Sequence, residues 1–219
     1  MSEERDWIIS AREIGISLDK KAISLFERYA QMLEKTNQSL NLTRVPPEDY
    51  GTRHFLDSLL LLQFYSFDRQ NRSVLDVGTG AGFPGLPLAI VTPQAQFTLM
   101  DATRKRLIFL DDVIAELGLQ NVKTFHSRAE DAAQLKAHRQ QYDLVTSRAV
   151  APLERLIGWT LPFVRVGGVA VAYKGQLTDE EIAQAESILK SEKGSLLRVE
   201  ETTLPATDAI RKFMFFGKI

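Results

Sequence analysis

Residues 75–85 read LDVGTGAGFPG, with Gly78, Gly80 and Gly82 at alternate positions directly behind a short apolar run. A backbone so built can turn tightly and approach a ligand where a Cβ would intrude. Pro84 is placed to open a helix, whose first N–H groups would then face that ligand. Two acids accompany the turn: Asp76 two residues before Gly78, and Asp101 21 residues past Gly80. A carboxylate at the second position can accept both ribose hydroxyls of a nucleoside. Gly80, Gly82 and Gly85 also satisfy G-x-G-x-x-G, so spacing alone leaves a dinucleotide open. Asp76 is an awkward neighbour for an anionic pyrophosphate and a natural one for the ammonium or sulfonium of S-adenosylmethionine. No tyrosine is followed four positions later by lysine, the proton shuttle a dehydrogenase would need. The residues therefore point to a methyl-donor site. An NAD-dependent oxidoreductase and a catalytically silent nucleoside-binding module are the alternatives.

The turn must be carried by a strand and a helix, and the chain supplies both. Val74–Val77 and Phe97–Met100 read as strands one and two, Val122–Phe125 as the third, Tyr142–Thr146 as the fourth and Gly167–Tyr173 as the fifth. Between them Pro84–Val91, Arg104–Leu117 closed by Gly118, and Leu153–Phe163 read as helices. Thr178 with Glu181 makes a capping box for a helix running to about Glu192. This alternation calls for a mostly parallel sheet with helices on both faces, an α/β fold of Rossmann-like type. Leu196–Leu204 and Arg211–Phe216 have no helix between them and predict a hairpin that brings an antiparallel strand to the sheet.

The chain before the polar cluster Asp68–Ser73 reads differently. Leu18, Ala22, Leu25, Phe26, Tyr29, Met32 and Leu33 recur at steps of three and four, an amphipathic helix with Ser17 as its candidate N-cap. Pro46 and Pro47 interrupt it, and a second helix is expected from Tyr50 through Phe64. Residues 1–70 thus read as an N-terminal helical cap, and 71–219 as the nucleoside-binding domain.

Of 219 residues, 44% are hydrophobic and 25% charged, an ordinary globular composition, and the absence of cysteine excludes disulfides, thiolate metal sites and cysteine nucleophiles. His126 and His138 stand alone, so no metal is expected. No apolar run nears the roughly 20 residues that span a bilayer, and the charged start MSEERDW is no secretory signal; a cytoplasmic protein is expected. The net charge of −1 argues against generic electrostatic binding of nucleic acid, so contact with RNA would need a local patch.

NLT (41–43), RHFLDSL (53–59), LDVGTGAGFPGLPLAI (75–90), SRAEDA (127–132), SRAVAPL (147–153) and YKGQ (173–176) together resemble the ribosomal small-subunit methyltransferase G family, also called GidB. The resemblance implies a class I S-adenosylmethionine-dependent methyltransferase forming N7-methylguanosine at G527, in the 530 loop of 16S ribosomal RNA. It carries donor contacts to Gly78, Phe83, Asp101, Ala102, Thr103, Ala129, Glu130 and Arg148, beside Asp76, Gly80 and Gly82 from the turn itself.

Guanine N7 has a free lone pair and no proton, so such a transfer needs no general base. Arg148, at the end of strand four, must leave N7 free and hold guanine O6, a phosphate or the donor's carboxylate. Arg148 and Lys174 are expected to serve the transfer, and Arg53, His54, Lys174 and Arg211 to meet the RNA. Arg53 and Asp57 could also pair at i, i+4. Phe83 is expected to wall the donor pocket. A small-subunit ribosomal particle is the expected partner.

Overall fold

The computed structural model describes residues 6–68, 70–148, 151–175 and 178–218. The first five residues, Arg69 of the linker, Ala149 and Val150 of SRAVAPL, and Gln176 of YKGQ lie outside them. The elements follow in the order α1 (Asp6–Glu13), α2 (Lys20–Leu40), a helical run from Pro47 to Gln63 containing the short α3 (Asp57–Leu59), β1 (Ser73–Val77), α4 (Gly85–Val91), β2 (Gln96–Asp101), α5 (Arg104–Leu117), β3 (Val122–His126), α6 (Ala129–Ala132), β4 (Tyr142–Arg148), α7 (Leu153–Thr160), β5 (Val164–Lys174), α8 (Asp179–Ser191), β6 (Gly194–Thr203) and β7 (Ile210–Lys218).

The seven strands form one sheet in the order β3-β2-β1-β4-β5-β7-β6. β1 to β5 are parallel, and β7 runs antiparallel between β5 and β6. The expected hairpin is present and adds both of its strands. Strand order reverses between β1 and β4, the switch point outside which ligands bind in open α/β sheets.

Each strand's period of two divides its side chains between two cores. Phe213 and Phe215 of β7 join the cluster on one face, with Val74, Leu86, Phe97, Leu110 and Tyr173. Met214 and Phe216 join the other, with Leu75, Met100, Leu153 and Phe163. The cap shares the first of these cores through Phe26, Tyr29, Leu33, Phe55 and Leu59, all buried.

Two local expectations are corrected. The N-cap of α2 is Asp19, whose Oδ1 accepts from Ala22 N–H at 2.7 Å; Ser17 lies too far upstream. A carboxylate there also complements the positive end of the helix dipole. The helix expected from Tyr50 to Phe64 is not one regular helix. It opens with a 3₁₀ turn at Pro47–Asp49, widens to a π-helical run at Tyr50–Leu56, passes through α3 and closes as a 3₁₀ turn at Leu60–Gln63. By contrast Gly118 ends α5 at φ +65°, and the Thr178–Glu181 capping box opens α8, as read from sequence.

Candidate active site

The parallel register fixes the site. Asp76 on β1 is level with Leu99 on β2 and with Thr146 on β4, so two residues further along, Gly78 lies between Asp101 on one side and Arg148 on the other. Neighbouring strands are roughly 4.8 Å apart, which places an acid, a glycine turn and an arginine side by side on one sheet edge.

A cleft of ≈ 140 Å³ opens on the β2 side, lined by Val77, Gly78, Met100, Asp101, Ala102, Ala129, Glu130 and Trp159 among others. It gathers five of the expected donor residues: Gly78, Asp101, Ala102, Ala129 and Glu130. The Asp101 carboxylate is only 4% exposed; Oδ2 accepts from Gly80 N–H at 2.9 Å and Oδ1 from Thr103 N–H at 2.7 Å. Arg106, itself exposed, adds a longer contact of 3.3 Å. Gly80 and Thr103 therefore touch the site through Asp101, by orienting its carboxylate. Gly78 and Gly80 sit at φ +70° and +61°, and a Cβ built on Gly80 would meet nothing closer than Gly78 O at 4.0 Å. This is space left open beside the turn. An oriented carboxylate, a second acid at Glu130 and apolar walls from Val77, Met100 and Trp159 fit a nucleoside with a ribose diol and a planar base.

Three expected donor residues do other work. Asp76 is fully buried beneath the turn. Oδ2 accepts from Thr79 Oγ1 at 2.7 Å and from Gly85 N–H at 3.0 Å, and Oδ1 accepts from Thr146 Oγ1 at 2.9 Å. Burial raises its pKa, against the pull of those three bonds. It braces the turn and offers the donor no open face. Gly82, at φ +108°, is a packing glycine: a Cβ there would lie 2.6 Å from the Tyr29 hydroxyl, which donates to Ala81 O. Phe83 is 6% exposed and stacks against both Tyr29 and His54, with the His54 ring 4.2 Å away. It fastens the cap to the turn and is no part of the cleft lining.

On the β4 side the site is a network of charged side chains. Arg148 donates through NH1 to Asp57 Oδ2 at 2.8 Å and lies over the Phe83 ring at 5.0 Å. Arg211 donates through Nε to the other oxygen of Asp57 at 2.5 Å. Tyr173 OH donates to Ser58 O at 3.1 Å. His54 completes the cluster, with Nδ1 3.4 Å from Arg148 NH2 and Nε2 2.7 Å from Thr43 Oγ1. A guanidinium has no acceptor, so Nδ1 must be the acceptor and Nε2 carries the proton toward Thr43. Burial and the nearby Arg148 charge lower the His54 pKa to about 3, so the ring is neutral at pH 7.

The residues expected to meet RNA are thereby redistributed. Arg53 pairs one turn back with Asp49 at 3.1 Å and not forward with Asp57, whose two carboxylate oxygens are taken by Arg148 and Arg211. Here the Asp57 N–H reaches back to Thr52 O, five residues earlier. His54 is buried, Arg211 is held by Asp57, and Lys174 Nζ sits 2.9 Å from Glu181 Oε1. Sequence reasoning missed Asp57 as the hub and Trp159, whose Nε1 donates to Glu130 Oε1 at 2.7 Å. No periodicity marks either. Among the described residues, no three His, Asp or Glu side chains gather at metal-binding distance, and no helix is long and apolar enough to cross a membrane.

A family model described as rRNA small subunit methyltransferase G matches residues 22–210. The Ribosomal RNA small subunit methyltransferase G of Thermoanaerobacter sp. (strain X514) is 40% identical over 213 residues, covering 97% of this chain and 88% of the relative. That of Trichormus variabilis is 38% identical over 199 residues, covering 89% and 81%. Among solved structures, M. jannaschii TYW2 in complex with AdoMet superposes with a TM-score of 0.57 at 15% identity, covering 94% of this chain and 80% of the other. The [4+2]-cyclase SpnF gives 0.60 at 14% identity, covering 88% and 94%. Such distant likeness shows the Rossmann-like fold alone, and a cyclase sharing it illustrates that fold does not fix reaction. The family match and the relatives do fix it, against the oxidoreductase and the silent-module alternatives: the chain belongs to the rRNA small subunit methyltransferase G family, S-adenosylmethionine-dependent enzymes of ribosomal RNA.

Proposed function

We propose that this chain transfers a methyl group to N7 of G527 in 16S ribosomal RNA, with the two sides of Gly78 dividing the work. The observation that carries this reading is the register that sets Asp101 and Arg148 on either side of the turn. S-adenosylmethionine, when bound, supplies a methyl on a sulfonium. Asp101 is assigned to its ribose hydroxyls: the carboxylate is already aimed by Gly80 and Thr103 N–H, and the exposed Arg106 can yield its place. Glu130, held by Trp159, and the apolar wall of Met100 and Val77 complete that side.

The acceptor side supplies orientation, and needs no base, because N7 carries no proton. Holding two reactants in line and in contact lowers a barrier by roughly 7–11 kcal/mol in favourable cases. Arg148 is assigned to guanine O6 or a phosphate, so that N7 stays free; a cation against N7 would oppose the positive charge that arrives there. Lys174 and Arg211 are assigned to the backbone of the same RNA, and residues 1–70 act as a cap over the acceptor side. The near-neutral net charge favours a small ribosomal particle over naked RNA as substrate, in the cytoplasm where particles are assembled.

Asp101→Ala tests the donor half. Loss of a charged hydrogen-bonding acceptor is expected to weaken donor binding by about 1.5–3 kcal/mol, read by titration calorimetry; unchanged affinity removes Asp101 from the ribose. Methylation of small subunits from a strain lacking the modification, mapped by cleavage at 7-methylguanine, tests the acceptor half against stripped RNA.

A further inference from the structure

The strand ends facing the acceptor carry a row of cations. Arg148 on β4 is opposite Tyr173, and the next residue of β5, Lys174, is opposite Lys212 on β7, with Arg211 beside it. Like charges directly opposite in a ladder are destabilising, and four cations on three adjacent strands would ordinarily be an open phosphate-binding row. Here each rests on a carboxylate. Arg148 and Arg211 take the two oxygens of Asp57, Lys174 takes Glu181, and Lys212 takes Glu201 at 3.3 Å.

The pairs differ in weight. Lys212–Glu201 joins a half-buried lysine to an exposed carboxylate at a longer 3.3 Å and counts for little. Asp57 is 5% exposed, and Arg148 and Lys174 are each 13% exposed at their side chains, so these pairs are partly shielded from solvent and salt. The two shielding carboxylates also arrive independently, Asp57 from the cap and Glu181 from α8. Lys174 holds the Glu181 carboxyl below its ordinary range.

We propose that Asp57 and Glu181 are specificity-determining residues: in the free chain they neutralise the acceptor-side cations, so that an RNA phosphate gains those contacts only by replacing a carboxylate. A cognate ribosomal substrate, fixed by its other contacts, completes the exchange; an unrelated RNA does not. This rests on the RNA-methylating reading above and adds to it how wrong substrates are refused.

Glu181→Gln is the informative variant, because glutamine at that position preserves the capping box that opens α8 while discharging the partner of Lys174. The probe is an unrelated single-stranded RNA oligomer titrated across a salt series. One added phosphate contact on a single strand steepens the slope of log affinity against log salt by about 0.7, roughly a threefold extra loss between 50 and 200 mM. Glu181→Gln is expected to bind this oligomer more tightly at low salt with that steeper slope, and adding Lys174→Gln is expected to cancel both changes. Asp57→Asn, where it folds, should steepen the slope by about 1.4 through two arginines. Wild-type affinity and slope in Glu181→Gln would overturn the proposal. Wild-type methylation of small subunits, measured in parallel, separates the two failures: its absence sinks the functional reading, whereas its presence with an unchanged oligomer titration sinks only the masking.

Discussion

Around Gly78 the site is made of backbone, and around Asp57 it is made of charged side chains. The β2 side is built from a turn, two amides and one aimed carboxylate, and its parts are mostly neighbours in sequence or successive strands. The acceptor side joins residues far apart in the chain: Arg148 reaches Asp57 across 91 positions, Tyr173 reaches Ser58 across 115, and Arg211 reaches Asp57 across 154. Geometry held by backbone survives the loss of most single side chains. A network of buried charges fails at any one of them, because the group left behind is both charged and unpaired.

That contrast can be broken most forcefully at its hub. Asp57→Ala leaves two arginines without their shared partner and is expected to cost about 3–5 kcal/mol of stability in denaturant melts. Donor affinity of the folded fraction should stay at the wild-type level. A parallel fall in donor affinity would mean that the two sides are one unit energetically.

Acidification probes the same network more gently. The folded pKa of His54, about 3, lies below the ordinary value near 6.5, so between those limits the unfolded chain binds the extra proton. The stability this ring contributes is therefore complete above about pH 6.5 and is lost as pH falls, at up to about 1.4 kcal/mol per unit. Wild type should weaken from pH 7 to pH 5 more steeply than His54→Phe, which keeps the stack on Phe83 without a titrating group; equal slopes would place the loss elsewhere.

The smallest expected effect lies where the halves meet. Tyr29→Phe removes the bond to Ala81 O and is expected to cost about 0.5–1.5 kcal/mol in stability. Any change in donor affinity beyond that range would show the turn itself to depend on the cap.

The same contrast explains what could be read from sequence. Glycines, strand runs, helix stops and the capping box announce themselves by local rules, and so the α/β alternation, the hairpin and the placing of Asp101 beside the turn were legible, whereas Glu130 came only from the family resemblance. Ser17 was mistaken for a cap because serine and aspartate suit that place equally, and only the helix start decides between them. Asp57 could have paired with Arg53 on local spacing, but its oxygens are claimed by Arg148 and Arg211 from distant strands, which spacing cannot show. Asp76 and Gly82 were given to the ligand because a pattern shows that a carboxylate or a glycine is needed, not which side it faces. Lys174 and Arg211 drew attention as RNA contacts, but their carboxylate partners, Glu181 on α8 and Asp57 in the cap, lie on other elements that no helical spacing rule pairs with them.

The fit of Tyr29 against the glycine turn also governs how this chain can be recombined. The phenol fills the space that a side chain at residue 82 would occupy. A chimera that took its cap from one parent and its sheet from another would have to match that pair, or place a methyl against a hydroxyl in one junction and a void in the other. Cap and turn are exchanged together or the graft is strained.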